Sequence, residues 1–97
     1  MTLEWNEAKN RSNVSKHGLN FSEAEEMFRG PLFTRQDIRQ EYGEVRWLGL
    51  GRVGGRLAAV LFTHRDPDIV RIISLRKANR REQKQYEASF QDGLETR

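Results

Sequence analysis

The sequence predicts one α+β domain in which two short helices precede an antiparallel sheet and a third helix closes the chain. Three observations carry this reading. Leu57 to Thr63, LAAVLFT, is an unbroken apolar run of strand length, as expected for a central strand buried on both faces. Ahead of Gly30 stand two helix-start signals separated by the single breaker Gly18. After the apolar run, Asn79 and Glu82 form a further N-cap and N3 pair. The chain has 97 residues and contains no linker, repeat or low-complexity tract, so it reads as a single domain with a core over about residues 3–90 and a frayed tail after Gly93.

Taken in order, Leu3-Glu4-Trp5 is a short extended piece and Asn6 caps a helix over Glu7 to His17. That helix is polar, with only Trp5, Ala8 and Val14 as a thin apolar stripe, and Gly18 ends it as a C′ glycine. Ser22 with Glu25 reads as a capping box for a second helix, which buries Ala24, Met27 and Phe28 and stops at Gly30-Pro31. Phe21 is placed to anchor the turn between the two. Leu32-Phe33-Thr34 then starts a strand, and Arg35 to Glu41 is either its irregular continuation or a loop. Glu44 to Val53 is the next strand, with the glycines at 49, 51, 54 and 55 read as turn glycines; they match neither a phosphate loop nor a dinucleotide fingerprint. His64 to Asp68 is a turn by composition, Ile69 to Leu75 the last strand, and Arg80 to Phe90 a helix docked by Tyr86 and Phe90.

Charge narrows the function. Arg71, Arg76, Lys77, Arg80, Arg81 and Lys84 stand against Glu82 alone, a local sum of +5, whereas the whole chain carries 17 basic and 14 acidic residues, net +3. The remainder is therefore net −2, and the positive charge is concentrated in one stretch, which points to a polyanion such as nucleic acid. There is no cysteine, and two histidines 47 residues apart make a structural zinc site an unfavourable reading. No cofactor is expected. No apolar run approaches the length of a membrane span and the first residues are no secretion signal, so a cytoplasmic protein without membrane contact is expected.

Several residues are candidates for chemistry. Arg71 and Arg76 differ by an odd number, so an ideal strand would point them to opposite faces; they share a site only if Arg76 lies beyond the strand or a bulge intervenes. Arg71 has a plain structural reading as the ion-pair partner of a neighbouring-strand carboxylate such as Glu44. Arg80 and Arg81 in a first helical turn oppose the helix dipole and suit an anion instead. His17, beside Lys16, is either a general base or a C-terminal helix cap. Glu44 and Arg46 alternate onto one strand face. A carboxylate or imidazole among arginines suits RNA cleavage, in which the 2′-hydroxyl attacks the adjacent phosphate.

Two spaced motifs carry a family resemblance. Trp5-Asn6-Glu7-x-Lys9, Asn13 and Lys16-His17-Gly18 resemble the opening W-D-E-x-K…N…K-H-G signature of BrnT-type toxins, with Asn6 in place of the usual aspartate. Arg71-Ile72-Ile73-Ser74-x-Arg76-x-Ala78, Arg81-Glu82 and Tyr86 are similar to that family's closing signature. The resemblance, over about Trp5 to Tyr86, implies a RelE-like fold and a metal-independent ribonuclease of a type II toxin–antitoxin module that inhibits translation. It further implies a BrnA-type antitoxin partner, through which the pair binds operator DNA. On matched positions, the expected catalytic set is His17, Glu44, Arg46, Arg71 and Arg76. Lys9, Lys16, Lys77, Arg80 and Arg81 are expected to bind RNA. The competing reading is a non-catalytic basic module that only holds RNA or an antitoxin.

Overall fold

The structure, a computed structural model, describes the backbone of residues 1–95 and the side chains of residues 1–90. Its elements are β1 (Thr2–Glu4), α1 (Glu7–His17), a 3-10 turn (Phe21–Glu23), α2 (Ala24–Arg29), β2 (Phe33–Asp37), β3 (Arg46–Val53), β4 (Arg56–Asp66), β5 (Ile69–Lys77) and α3 (Arg80–Glu95). The strands form one sheet in the order β1-β5-β4-β3-β2. β2 to β5 are antiparallel, but β1 pairs parallel to β5, so the sheet is not wholly antiparallel as expected. A parallel edge follows from topology: α1 and α2 intervene between β1 and the rest of the sheet, which gives the chain room for a crossover.

β4 is the buried centre that its apolar run predicts. Ala58, Val60 and Phe62 enter a core with Phe21, Ala24 and Met27, while Ala59 enters a smaller core on the opposite face with Leu48, Leu50 and Tyr86. The first face carries α1 and α2, the second α3. Gly49 and Gly51 lie within β3 rather than in a turn. A Cβ at Gly49 would stand 3.0 Å from Val60 Cγ1 and one at Gly51 3.1 Å from Leu32 Cδ1, so both glycines make room for packing. The hairpin turn is Gly54-Gly55, both at positive φ. β4 runs on through His64 to Asp66, so the turn expected there shrinks to Pro67-Asp68.

The caps hold in two cases of three. Asn6 accepts from the Lys9 amide and Gly18 adopts the left-handed conformation. Asn79 and Glu82 bond reciprocally, each side chain accepting from the other's amide at 2.8–2.9 Å. The middle box is Asn20 with Glu23 rather than Ser22 with Glu25, because the helix opens with a 3-10 turn two residues early. α3 continues past Phe90 to Glu95, so the tail expected after Gly93 lies partly on the helix and partly outside the described residues.

α1 does not dock through the apolar stripe expected of it. Val14 is exposed, and the buried residues are Asn10 and Asn13. The Asn13 carboxamide donates to the Leu75 carbonyl at 2.8 Å and accepts from the Leu75 amide at 3.1 Å. β1 covers β5 only from Ile69 to Arg71, so Asn13 supplies the edge of β5 with the bonds that an absent strand would make. Asn10 Oδ1 accepts from the Phe21 amide at 2.8 Å and locks the α1–α2 connection.

Candidate RNA-cleavage face

The register of β5 decides where the arginines point. Leu61 pairs with Ser74 but Phe62 pairs with Ile72, so Ile73 is an extra residue, a bulge. Val70, Ile72 and Leu75 consequently all enter the α1–α2 core despite the change of parity. On the other face the bulge brings Arg71, Ser74 and Arg76 into line, which resolves the odd spacing. Asp37 pairs with Arg46, Thr63 with Arg71, and Arg71 with Glu4. Since Trp47 pairs with Phe62, Arg46 falls beside Thr63, and a polar row crosses all five strands on the α3 side. Arg46 and Arg71 flank Thr63 two strands apart, about 10 Å between backbones. Arg76 lies four ladder steps along, about 13 Å. Tyr86 of α3 packs over Leu48, Leu50 and Ala59 at the apolar end of this face, and in the polar row Arg46, Arg71 and Glu4 stay partly exposed while Asp37 and Thr63 are buried.

Each of these arginines is oriented by a carboxylate. Arg46 Nε donates to Glu44 at 3.0 Å, and its guanidinium lies 4.2 Å from the Tyr42 ring centroid. Arg71 Nη1 donates to Glu4 at 2.7 Å; the neighbouring-strand partner that the sequence suggested exists, but it is Glu4 and not Glu44. Arg76 donates through both Nη atoms to Glu82 at 2.8 and 2.9 Å. Glu82 is 4% exposed. The hydrogen bonds from Arg76 hold its carboxyl below the usual range against the opposing effect of burial, and they raise Arg76 in turn.

Beside this pair, Arg35, Asp37 and Arg39 join Arg76 and Glu82 around a cavity of about 30 Å³. Asp37 is buried and bound by the Arg39 fork at 2.8 and 2.9 Å and by the Tyr42 hydroxyl at 2.9 Å. Those donors, Arg39 first, hold its carboxyl well below the usual range. Asp37 thereby ties down the 38–45 loop that carries Glu44 and Tyr42. From the sequence, Arg35 to Glu41 is an irregular strand or a loop and none of its residues is a site candidate, although the two-residue spacing of Arg35, Asp37 and Arg39 is the strand signal that puts them on one face.

Not every expected residue belongs here. His17 lines a separate cavity with Leu19, Arg56 and Lys77 at the far end of the sheet, on the side of α1. Seven residues of β3 separate the Val53 end from Arg46, about 23 Å. The expected base at His17 is therefore not brought to Arg46 and Arg71, because the helix that carries it packs on the opposite face. Lys9 and Lys16 are exposed on the same helix. Arg80 and Arg81 are exposed at the start of α3 next to the Arg76–Glu82 pair, and Lys77 is exposed at the end of β5. Among the described residues no helix is long and apolar enough to cross a membrane.

Residues 5–82 match the model of a family described as the ribonuclease toxin BrnT of type II toxin–antitoxin systems. The fold is similar to the crystal structure of the Brucella abortus ribonuclease toxin BrnT, at TM-score 0.63 and 27% identity, over 82% of this chain and 99% of that one. No curated protein matches the chain.

Proposed function

Because the chain belongs to the BrnT family of ribonuclease toxins of type II toxin–antitoxin systems, we propose that it is a metal-independent endoribonuclease whose α3-side sheet face cuts RNA and so halts translation. On this reading the fold is RelE-like. The observation that supports it is the β5 bulge, which turns Arg71 and Arg76 to the face that carries Arg46. Arg46 and Arg71 grip the scissile phosphate and take up the charge that grows on its oxygens in the transition state. Arg76 holds the neighbouring phosphate, with Arg80 and Arg81 beside it. Glu44, bound to Arg46, takes the proton of the 2′-hydroxyl; it replaces His17 in that role, since it stands on the arginine face. The attack forms the bond from the 2′-oxygen to phosphorus and breaks the one to the 5′-oxygen, which takes a proton from water, and a 2′,3′-cyclic phosphate remains.

A BrnA-type antitoxin neutralises the protein, covers the cationic face and carries the pair to operator DNA. Expression of the chain alone should stop growth, and the purified protein should cut single-stranded RNA in EDTA. RNA left intact in that assay removes the catalytic claim. Binding that survives in Arg71→Ala while cleavage disappears separates the enzyme from a module that only holds RNA.

A further inference from the structure

A second cationic feature lies away from the Arg46–Arg71 row. A cleft of about 380 Å³ opens between α3 and the β3–β4 hairpin, with Arg52, Arg56 and Lys77 on the sheet side and Gln83, Tyr86 and Glu87 on the helix side. Three cations there face one carboxylate. Arg46, Arg71 and Arg76 are each held by a carboxylate, whereas Arg52, Arg56 and Lys77 have no ion-pair partner among the described residues.

Arg52 is placed and not merely solvated. The Arg52 guanidinium lies 5.7 Å from the Tyr86 ring centroid and donates to the Gly55 carbonyl at 3.4 Å. Tyr86 is itself fixed, since its hydroxyl donates to the Pro31 carbonyl at 3.1 Å and its ring meets Phe90 edge-on at 4.8 Å. Strand pairing puts the other two cations at the same end of the sheet, Arg56 opposite Val53 and Lys77 opposite Ala58, where both line this cleft and the neighbouring His17 cavity. Lys77 follows Arg76 directly but pairs with Ala58 of the α1–α2 core, so it reaches the cleft around the end of the sheet and not along the face that carries Arg46 and Arg76. Six residues of β3 separate Arg46 from Arg52, about 20 Å, a span of several nucleotides of single strand.

We propose that this cleft is a second phosphate subsite, in which Arg52, Arg56 and Lys77 hold the backbone of a single-stranded RNA several nucleotides from the scissile bond. The assignment rests on the ribonuclease reading and names how its substrate is held. Basic grooves that follow a strand's backbone are the general means of binding single strands without sequence preference. The subsite makes length a determinant of substrate affinity, and it leaves the chemical step untouched.

The test uses the full chain and the Arg52→Ala/Arg56→Ala double variant, whose two side chains are exposed, with Arg52→Lys/Arg56→Lys as the charge-preserving control. Affinity for a 2′-O-methyl oligonucleotide of about 12 nucleotides, which 2′-attack cannot cut, is read by fluorescence anisotropy across a salt series; the length falls within the span of a single-strand-binding groove. The double alanine variant should bind on the order of tenfold more weakly, and its salt slope should fall by about 1.4 for two lost phosphate contacts. The lysine control should keep the slope. In cleavage, KM for the long RNA should rise while kcat and the turnover of a dinucleotide stay unchanged. Equal affinity and slope in the variant overturn the subsite, as does equal loss on long and short substrates. Weakened binding of the antitoxin with unchanged RNA affinity also overturns it, since the cleft is then a protein contact. Should the wild type bind the oligonucleotide but cut no RNA, the ribonuclease reading fails while the anisotropy arm still decides the subsite.

Discussion

Replacing Glu82 by glutamine tests how the arginine face is held together. The Glu82 side chain is 6% exposed and the Arg76 side chain 34%, joined by bonds of 2.8 and 2.9 Å. Glu82 Oε1 also accepts from the Asn79 amide at 2.9 Å, closing the cap of α3. Glutamine keeps the size and one acceptor but turns an N–H₂ toward the guanidinium, so one charge-assisted bond is lost and two donors oppose each other. A charge-assisted bond contributes about 1.5–3 kcal/mol, and the half-open guanidinium recovers part of this from water, which leaves a cost of about 2 kcal/mol. For a domain of this size that lowers Tm by about 10 °C. The loss has a pH signature. Glu82 titrates below its ordinary value of 4.5, so its stabilisation is fully present above 4.5 and disappears as pH falls through the lowered folded-state value. Melting curves of wild type and Glu82→Gln should differ at pH 7 and converge in acid. Because Arg76 loses its orientation, cleavage should fall by about tenfold. Equal Tm at pH 7, or a gap that persists unchanged through the acid range, refutes this account of the pair.

Other substitutions probe separate parts of the structure. Asn13→Ala leaves the Leu75 amide and carbonyl without partners at a buried edge and should cost about 3 kcal/mol, measured by urea denaturation. Asp37→Asn strips the Arg39 fork and the Tyr42 hydroxyl of their carboxylate; a loss of about 1–2 kcal/mol and several-fold slower cleavage are expected, with the stability difference from wild type fading as pH falls below 3.8. His17→Ala should leave RNA cleavage within about twofold, because a group more than a hydrogen-bond length from the reacting atoms gives no acid–base assistance; a loss of a hundredfold would return His17 to the site.

What was legible in the sequence was local. The Asn6 and Asn79 caps, the Gly18 stop and the apolar run of β4 are set by neighbours within a few residues, and the structure keeps them. The failures involve partners far apart in the chain. The burial of Asn10 and Asn13 is not among the expectations from the sequence, because nothing nearby says that Asn13 will meet the backbone of Leu75, 62 residues on. His17 is expected with the arginines on the family resemblance, but the crossover after β1 puts α1 on the other face. The β5 bulge is also invisible in composition, since Ile72-Ile73-Ser74 would serve equally in a regular strand; only the pairing with Leu61 and Phe62 reveals it. From the odd spacing alone, Arg71 and Arg76 share a site either if Arg76 lies beyond the strand or if a bulge intervenes, and the pairing selects the bulge.

The central claim is that Arg46 and Arg71, on one face, stabilise attack by the 2′-hydroxyl on the adjacent phosphate. It is tested most directly by the end groups that the purified protein leaves on single-stranded RNA in EDTA. Wild type should yield 2′,3′-cyclic phosphate ends, and Arg46→Ala and Arg71→Ala should each slow their appearance by a hundredfold or more, about 3 kcal/mol of transition-state stabilisation, with RNA affinity changed far less. Ends bearing 3′-hydroxyls, or cyclic ends that form at the wild-type rate in both variants, would contradict it.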